Sequence, residues 1–522
     1  MTADNTTTSV LPIYATAAAG SLILAQYLWK RWNALHKLNL PPSPKGYPIV
    51  GNVFSLPSEL EHLAYMELGQ ELKSDIILLK MFDFNLVVLN SAEAASDLLE
   101  KRSGIYSDRA CPNMVKDPTL FDWSRHMSLL GYNDLWRSHR RMMNNWLNVR
   151  ASTQFHDSQE RQARVLLRRL LPVSELSHPF EQVMQEFYRS MAASIFQTTY
   201  GYHIESTDDK FFAGTREALN NLFKASMRTN FLVNTFPVLS YVPDWMPGTQ
   251  WKRVAREWKA QKDWVVDSVY QWAKDQFASG TAEPSILSSL FGHEVASQWS
   301  GEEADSHLKE MAIIICAGAL DPPSNTLVKF TAAMLLNPHV QEKAQKEIDT
   351  VMGQNRLPTM SDRDRMPYVQ NLISEVMRWH PVLPMALPHV CFKDDVYRGY
   401  DIPKGTVLMG NLWAMSRDEN VYKDAETFNP DRFLDPNVPP LPIFGWGRRK
   451  CPGNHYGEAS IFIAVASLLA TYTIARKRDD NGQEILPIIE TAGNSLALGL
   501  KEFGFELKPR SEKCRQLILE GQ

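Results

Sequence analysis

The chain is poor in cysteine, and it has no surplus of either charge. Its five cysteines, at 111, 316, 391, 451 and 514, show no paired spacing. That excludes a disulfide framework and argues for a reducing compartment. A net charge of −4 over 522 residues gives no electrostatic reason to expect nucleic acid. Length alone would allow several domains, yet no linker interrupts the chain after residue 52. The N-terminus lacks any Lys or Arg before Val10–Trp29, an uncharged stretch of twenty residues just long enough to span a bilayer. It is diluted by Ala, Thr, Gly and Ser, and Lys30, Arg31 and Lys37 follow it. The positive-inside rule puts the N-terminus on the luminal side and the remainder in the cytosol. A cleaved signal peptide would have a basic start, which is missing. Asn5-Thr6-Thr7 is a glycosylation sequon so close to the membrane that it is expected to be unused. The prolines of Leu40-Pro-Pro-Ser-Pro-Lys-Gly-Tyr-Pro48 make a stiff, extended connector.

What the chain does have is Phe444-Gly-Trp-Gly-Arg-Arg-Lys-Cys451-Pro-Gly453, one cysteine in a glycine-rich basic loop. A run that reads as helix, Tyr456 to Thr471, follows. A thiolate near neutral pH needs positive charge, N–H donors or a metal. Here glycines permit close backbone approach, a helix start offers free N–H groups, and Arg448, Arg449 and Lys450 add charge. One cysteine cannot build a zinc or iron–sulfur site. It can be the axial ligand of a haem iron, where a thiolate favours O–O cleavage. The plainer alternative is a buried structural cysteine in a turn.

The pattern F-x-x-G-x-R-x-C-x-G, met by Phe444, Gly447, Arg449, Cys451 and Gly453, resembles the cytochrome P450 family from about Leu40 to the C-terminus. The resemblance implies a mainly α fold with small β-sheets, haem b bound through Cys451, and a monooxygenase. Leu40 to Pro48 is similar to the family's membrane-orienting hinge. The resulting division is a luminal tail and transmembrane anchor over 1–32, a proline-rich hinge over 33–52, and a haem-thiolate catalytic domain over 53–522.

In chain order, Ile76 to Asn90 reads as a β-hairpin and Ala92 to Arg102 as helix. Ile105 to Leu130 reads as a loop, which in the family caps the haem pocket. Trp136 and Arg140 share a helix face; they match the family's W-x-x-x-R, whose pair contacts a haem propionate, or are a structural Trp and a surface Arg. Residues 155 to 280 read as helical, broken by Phe231 to Gly248. Its prolines and Phe236, Tyr241, Trp245 and Met246 suit a membrane interface or packing on the domain. Trp251 to Phe277 reads as a solvated amphipathic helix, and Gly280 to Gln298 as a polar connector. Ser300-Gly-Glu-Glu303 reads as a capping box opening a helix toward Leu336. In the family that helix crosses the distal face of the haem. Pro338 opens the next helix.

Glu375 and Arg378, at i and i+3, match the family's E-x-x-R. Phe428-Asn-Pro-Asp-Arg432-Phe matches the segment that sends a second arginine to that glutamate. Glu375, Arg378 and Arg432 are therefore expected to be structural. Pro381 to Pro388 is extended and apolar, a pocket wall. His389 resembles a position that pairs with a propionate, or is a histidine without a ligand. Ala492 to Leu498 corresponds to a pocket-lining turn.

The distal helix departs from the family's [AG]-G-x-[DE]-T-[ST]. This chain reads Gly318-Ala-Leu-Asp321-Pro322-Pro323. Asp321 keeps the acid, and Pro322 stands where the proton-delivering threonine belongs. Both prolines should kink the helix and free the carbonyls of Gly318 and Ala319. A proton must then come from Asp321 through water, from Ser324, from Thr326 or from the substrate. Three readings follow. The first is a monooxygenase inserting one atom of O2 into an apolar small molecule, a terpenoid or other secondary metabolite, with electrons from NADPH through a flavin reductase (NADPH–cytochrome P450 reductase). The second is a non-oxygenating or peroxide-driven enzyme: an isomerase, dehydratase or peroxygenase. The third is a non-catalytic haem protein. The resemblance to fungal microsomal members implies a single-pass protein of the endoplasmic reticulum membrane.

Overall fold

The computed structural model describes residues 38–520, apart from 48–49, 58, 82–83, 292–300, 354 and 494. The expected luminal tail and anchor, residues 1–32, lie outside the described residues.

The helices that shape the interior are α1 (Glu61–Glu71), α2 (Asp134–Leu147), α3 (His156–Val173), α4 (Phe180–Tyr200), α5 (Lys210–Ser226), α6 (Gln250–Ala278), α7 (Glu302–Leu336), α8 (Pro338–Met352), α9 (Pro367–Trp379) and α10 (Asn454–Thr471). The longest is α7. It is apolar on every side, the pattern of a helix packed all round. It lies against α4, α10, α9 and α6. Among the described residues it is the one helix long and apolar enough to cross a membrane, but 83% of its most apolar window is buried inside the fold. It is therefore the core helix.

Strands β1 (Ile76–Met81) and β2 (Phe84–Leu89) form the expected hairpin, with Ile76 opposite Leu89. β3 (His389–Val390) pairs antiparallel with β4 (Val407–Gly410), and β4 pairs in parallel with β2. The order β1-β2-β4-β3 puts His389 on an edge strand. The remaining sheets have two strands each. The fold class read from the sequence, mainly α with small sheets, is the one observed.

Local readings changed in three places. The helix expected over Ala92 to Arg102 starts as a short α-helix, Ala92–Ala95, and then widens into a π-helix over Ser96–Lys101. Part of the supposed connector is the helix Ile286–Phe291, which buries Ile286, Leu287 and Leu290. Ser300 of the expected capping box lies outside the described residues; the N-cap of α7 is Gly301, at φ 54°, with Glu302, Glu303 and Asp305 in the first turn. The helix expected toward Leu336 is present as α7, and it runs through both Pro322 and Pro323. The packing of α7 against its neighbours outweighs the local penalty of about 3 kcal/mol per interior proline. The chemical part of the expectation stands: with no N–H at 322 or 323, the carbonyls of Gly318 and Ala319 have no i+4 donor.

In α9 the buried carboxylate of Glu375 sits between two guanidiniums. Arg378 Nε donates to Glu375 Oε2 at 2.7 Å and its Nη2 to Oε1 at 2.8 Å. Arg432 Nε donates to Oε1 at 3.1 Å, as does the backbone N–H of Asn429 at 2.8 Å. The other guanidinium hydrogens reach the carbonyls of Ser416, Lys423 and Thr427. A buried ion pair needs such saturation to persist. These contacts tie α9 to the chain that leads into the Cys451 loop.

Candidate active site

The loop is shaped by its glycines. Gly445 sits at φ 76° and Gly447 at φ 52°. A Cβ on Gly447 would lie 2.5 Å from the carbonyl oxygen of Leu99, in the π-helical segment, so only glycine fits. A turn over Gly447–Arg449 follows, and the N–H of Cys451 donates to the carbonyl of Phe444 at 2.8 Å. This brings the Cys451 side chain into the wall of a cavity of about 330 Å³. Phe444, Arg449 and Gly453 line the same cavity. Across it runs one stripe of α7: Ile314, Gly318, Ala319, Pro322 and Thr326. Most of the remaining wall is apolar, including Leu383 and Leu387 of the Pro381–Pro388 segment; from the 492–498 turn, Leu496 takes part.

The expected source of thiolate stabilisation is corrected by the geometry. Burial pushes the Cys451 thiol up; the N–H of Gly453 and the charge of Arg140 pull it down without prevailing. Arg448 is exposed and donates to the Tyr132 hydroxyl at 2.6 Å. Arg449 is buried and donates to the carbonyls of Ser107 and Leu130. Lys450 is exposed. The loop's own cations therefore do not ionise the sulfur. A coordinating metal ion would, since a metal-bound thiol is deprotonated outright.

One end of the cavity collects positive charge. Trp136 and Arg140 both line it from α2, whose first turn is capped by the Asn133 side chain. The Arg449 guanidinium lies 4.3 Å over the Trp136 ring. Arg109 joins them: it is half-buried, its Nη1 donates to the carbonyls of Leu387 and Pro388, and its buried Nε has no partner among the described residues. Among the described residues, no carboxylate forms an ion pair with Arg109, Arg140 or Arg449, and burial lowers the pKa of each. Buried charges this poorly paired are costly, so the donor set suits an anionic guest.

His389 is also in the wall, with Nδ1 donating to the carbonyl of Tyr106 at 2.7 Å. Burial, Arg109 and Arg449 hold it well below the ordinary imidazole range. It is neutral, and pairing with a carboxylate would require a second proton. Arg109 was missed in the sequence because it lies in the patternless Ile105–Leu130 loop, where a lone arginine carries no signal.

The two distal residues part company. Thr326 lines the cavity, and its hydroxyl donates to the carbonyl of Pro322 at 2.8 Å. Asp321 is buried outside the cavity lining; its Oδ1 accepts from the Tyr188 hydroxyl at 2.8 Å and its Oδ2 from Asn325 Nδ2 at 3.1 Å. Burial raises its pKa. Ser324 is buried too, donating to the carbonyl of Leu320.

A thiol in the wall of an apolar cavity, with unpaired guanidiniums gathered at one end, matches haem in its donor chemistry: sulfur for iron, arginines for the two propionates. The site and fold together define a haem-thiolate protein. The chain belongs to the cytochrome P450 family, whose model matches residues 41–497, and it is an enzyme of the monooxygenase class that its relatives share. A cytochrome P450 monooxygenase of Armillaria gallica is 33% identical, covering 96% of this chain and 97% of its own. Cytochrome P450 monooxygenase 98 of Postia placenta is 36% identical, covering 92% and 93%. The monooxygenase claR of Ampulloclitocybe clavipes is 35% identical, covering 92% and 88%. A zebra fish cytochrome P450 solved with progesterone shares the fold at a TM-score of 0.71 and 22% identity, covering 86% of this chain and 100% of that one.

Proposed function

We propose that this chain inserts one atom of O2 into an apolar small molecule, a terpenoid or other secondary metabolite, with electrons from NADPH through a flavin reductase. The observation that carries the reading is Cys451 in the wall of an apolar cavity that Arg109, Arg140 and Arg449 also line. When bound, the haem supplies reductive activation of O2 and transfer of one oxygen atom. The chain's own residues hold and orient. The guanidiniums take the propionates, Cys451 takes the iron, and the apolar walls exclude water around the substrate.

Proton delivery is where this chain differs from its family. Pro322 offers no hydroxyl. The Thr326 hydrogen is committed to the Pro322 carbonyl, so Thr326 receives a hydrogen bond on its free lone pairs more readily than it gives one. A freed carbonyl, of Gly318 or of Ala319, can hold a water in the cavity by one of its hydrogens, and that water, with its second hydrogen free, is the proton carrier we assign. Asp321 would have to leave Tyr188 and Asn325 to reach it. The missing hydroxyl equally favours a second reading, in which the enzyme uses peroxide or rearranges its substrate without oxygenation.

A matched assay decides between them. The purified enzyme is given either reductase, NADPH and O2, or hydrogen peroxide alone, against one panel of terpenoids and aromatic amines. Products that gain one oxygen only with NADPH are expected. Products in the peroxide arm alone, or isomers without added oxygen, would favour the second reading. In the same assay Pro322→Thr should lower the fraction of NADPH lost as peroxide. A positioned donor contributes roughly 10²–10⁴ in rate. Unchanged coupling would show that the water route suffices.

The reductase reading draws support from the loop side of the molecule. Arg448, from the Cys451 loop, and Arg137, from α2, converge on Tyr132, where Arg137 lies 4.7 Å over the ring. Both cations are exposed, and a basic face suits an acidic flavoprotein. For the membrane, the proposal keeps 1–32 as anchor, 33–52 as hinge, 53–522 as catalytic domain, and the endoplasmic reticulum as location. Its support is the Phe231 to Gly248 segment, which exposes Leu232, Val238, Tyr241 and Trp245; Trp245 is 81% and Tyr241 86% exposed. Protein lacking residues 1–32 should still bind phospholipid vesicles, and Tyr241→Ser with Trp245→Ser should release most of it, as read by vesicle flotation.

A further inference from the structure

The cavity stripe of α7 continues past Thr326. Pro322, Thr326 and Lys329 follow at i, i+4 and i+7, which places them on one helix face, and all three line the cavity. Lys329 is 1% exposed. It makes no ion pair among the described residues, and its one hydrogen bond reaches the carbonyl oxygen of Pro381 at 3.3 Å. An ammonium has three donors, and a buried one without a counter-ion is strongly disfavoured. Burial lowers Lys329 to about 7, with Asp321 opposing. Asp321 lies eight residues back on the helix, and its oxygens already serve Tyr188 and Asn325.

Facing this lysine is the end of α9. His380 is buried and lines the cavity, and its Nδ1 has no partner. The charged and titratable neighbours that act on His380 are Lys329, Arg417 and His62, and the Trp413 ring lies 5.2 Å from it. None of them is an anion. This lobe of a mostly apolar cavity therefore offers two buried nitrogen sites, Lys329 Nζ and His380 Nδ1, with no carboxylate to meet them. Pro381, whose carbonyl Lys329 touches, opens the apolar wall segment, so the lobe joins the substrate space.

We propose that Lys329 and His380 anchor the carboxylate of an apolar carboxylic acid, so that acids are the preferred substrate class of this enzyme. The proposal rests on the oxygenase reading only in calling the bound acid a substrate. The ammonium takes one carboxylate oxygen, and His380, neutral with its hydrogen on Nδ1, donates to the other. Seven residues separate Lys329 from Pro322, a rise of about 10 Å. Carbons about that far from the carboxylate are the ones presented at the Pro322 end.

Binding tests this without turnover, so a failed oxygenation assay leaves it standing. The haem-loaded full chain in lipid nanodiscs is titrated calorimetrically with dodecanoic acid and with methyl dodecanoate, and protein-free nanodiscs are subtracted. The wild type should bind the acid about tenfold tighter than the ester, or more, as for a charge-assisted contact. Lys329→Met should remove that preference by weakening the acid and leaving the ester within about twofold. His380→Phe should reduce it in part. Equal affinities in the wild type would overturn the proposal, and that comparison needs no variant. So would a Lys329→Met protein that loses acid and ester alike, because a lysine that merely caps Pro381 would act on both.

Discussion

Replacing Cys451 by serine is expected to abolish the thiolate signature of the carbon monoxide complex and to bring turnover to background. A hydroxyl does not ionise here, and its oxygen cannot supply the electron density that favours O–O cleavage. The change should spare the fold. The loop is closed by backbone, through the Cys451 N–H to the Phe444 carbonyl, and by glycine conformations at 445 and 447 that serine at 451 leaves untouched. The three arginines at the propionate end remain. The variant should thus still take up haem, more weakly, and its spectrum should lose the thiolate band. An unchanged carbon monoxide spectrum would refute the assignment of Cys451 as ligand. The buried environment sharpens the expectation. Burial pushes the sulfur toward the neutral thiol, so it would become a thiolate on binding the iron, and Cys451 in metal-free protein should react slowly with thiol reagents at neutral pH.

The second large effect is expected at Glu375. Glu375→Ala leaves Arg378 and Arg432 buried and without their common carboxylate, and it also strands the N–H of Asn429. Breaking a buried pair in this way costs about 3–5 kcal/mol. That is a large share of the 5–15 kcal/mol typical of a folded domain. The expected observation is a urea midpoint that falls steeply with an unchanged slope, and loss of haem in the same transition. Arg137 and Asp134 provide the contrast: they have the same i, i+3 spacing on α2, but both are exposed. Asp134→Asn should leave the midpoint where it is. If Glu375→Ala were as mild as Asp134→Asn, the three residues would not be holding the loop side of the core.

These two positions show why part of the molecule was legible in sequence. The Cys451 loop is local: its glycines are dictated by backbone angles and by the approach of Leu99, so the chemistry lies in ten consecutive residues. Glu375 and Arg378 are local as well, one helical turn apart, and Arg432 lies in a short segment with its own pattern. Arg109 and Lys329 were not legible. Each is a single basic residue whose meaning comes from what the fold brings around it, Arg449 and His389 in one case and His380 and Pro381 in the other. The helix at Ile286–Phe291 escaped because six residues in a polar stretch carry too little period to read. The course of α7 through Pro322 and Pro323 rests on packing on several sides that no window of sequence displays. The source of charge at the sulfur misled for a related reason: Arg448, Arg449 and Lys450 are adjacent in the chain, yet Arg140, from a distant helix, is the cation that acts on it.

The unbroken course of α7 through Pro322 and Pro323 has a consequence for timing. In a helix with all its amides, a carbonyl can turn to a ligand only after its own hydrogen bond opens, so hydration of such a site is a transient event. Here the carbonyls of Gly318 and Ala319 have no bond to open. The notch is a permanent feature, present before substrate or oxygen arrives and unchanged after product leaves. Water or a polar guest that reaches Pro322 meets carbonyls that already lack their helical donor. Restoring one hydroxyl would not close it, because Pro323 would still leave the second carbonyl free. Selectivity at this end of the cavity then depends on which molecules can use those acceptors, rather than on which can induce the helix to move.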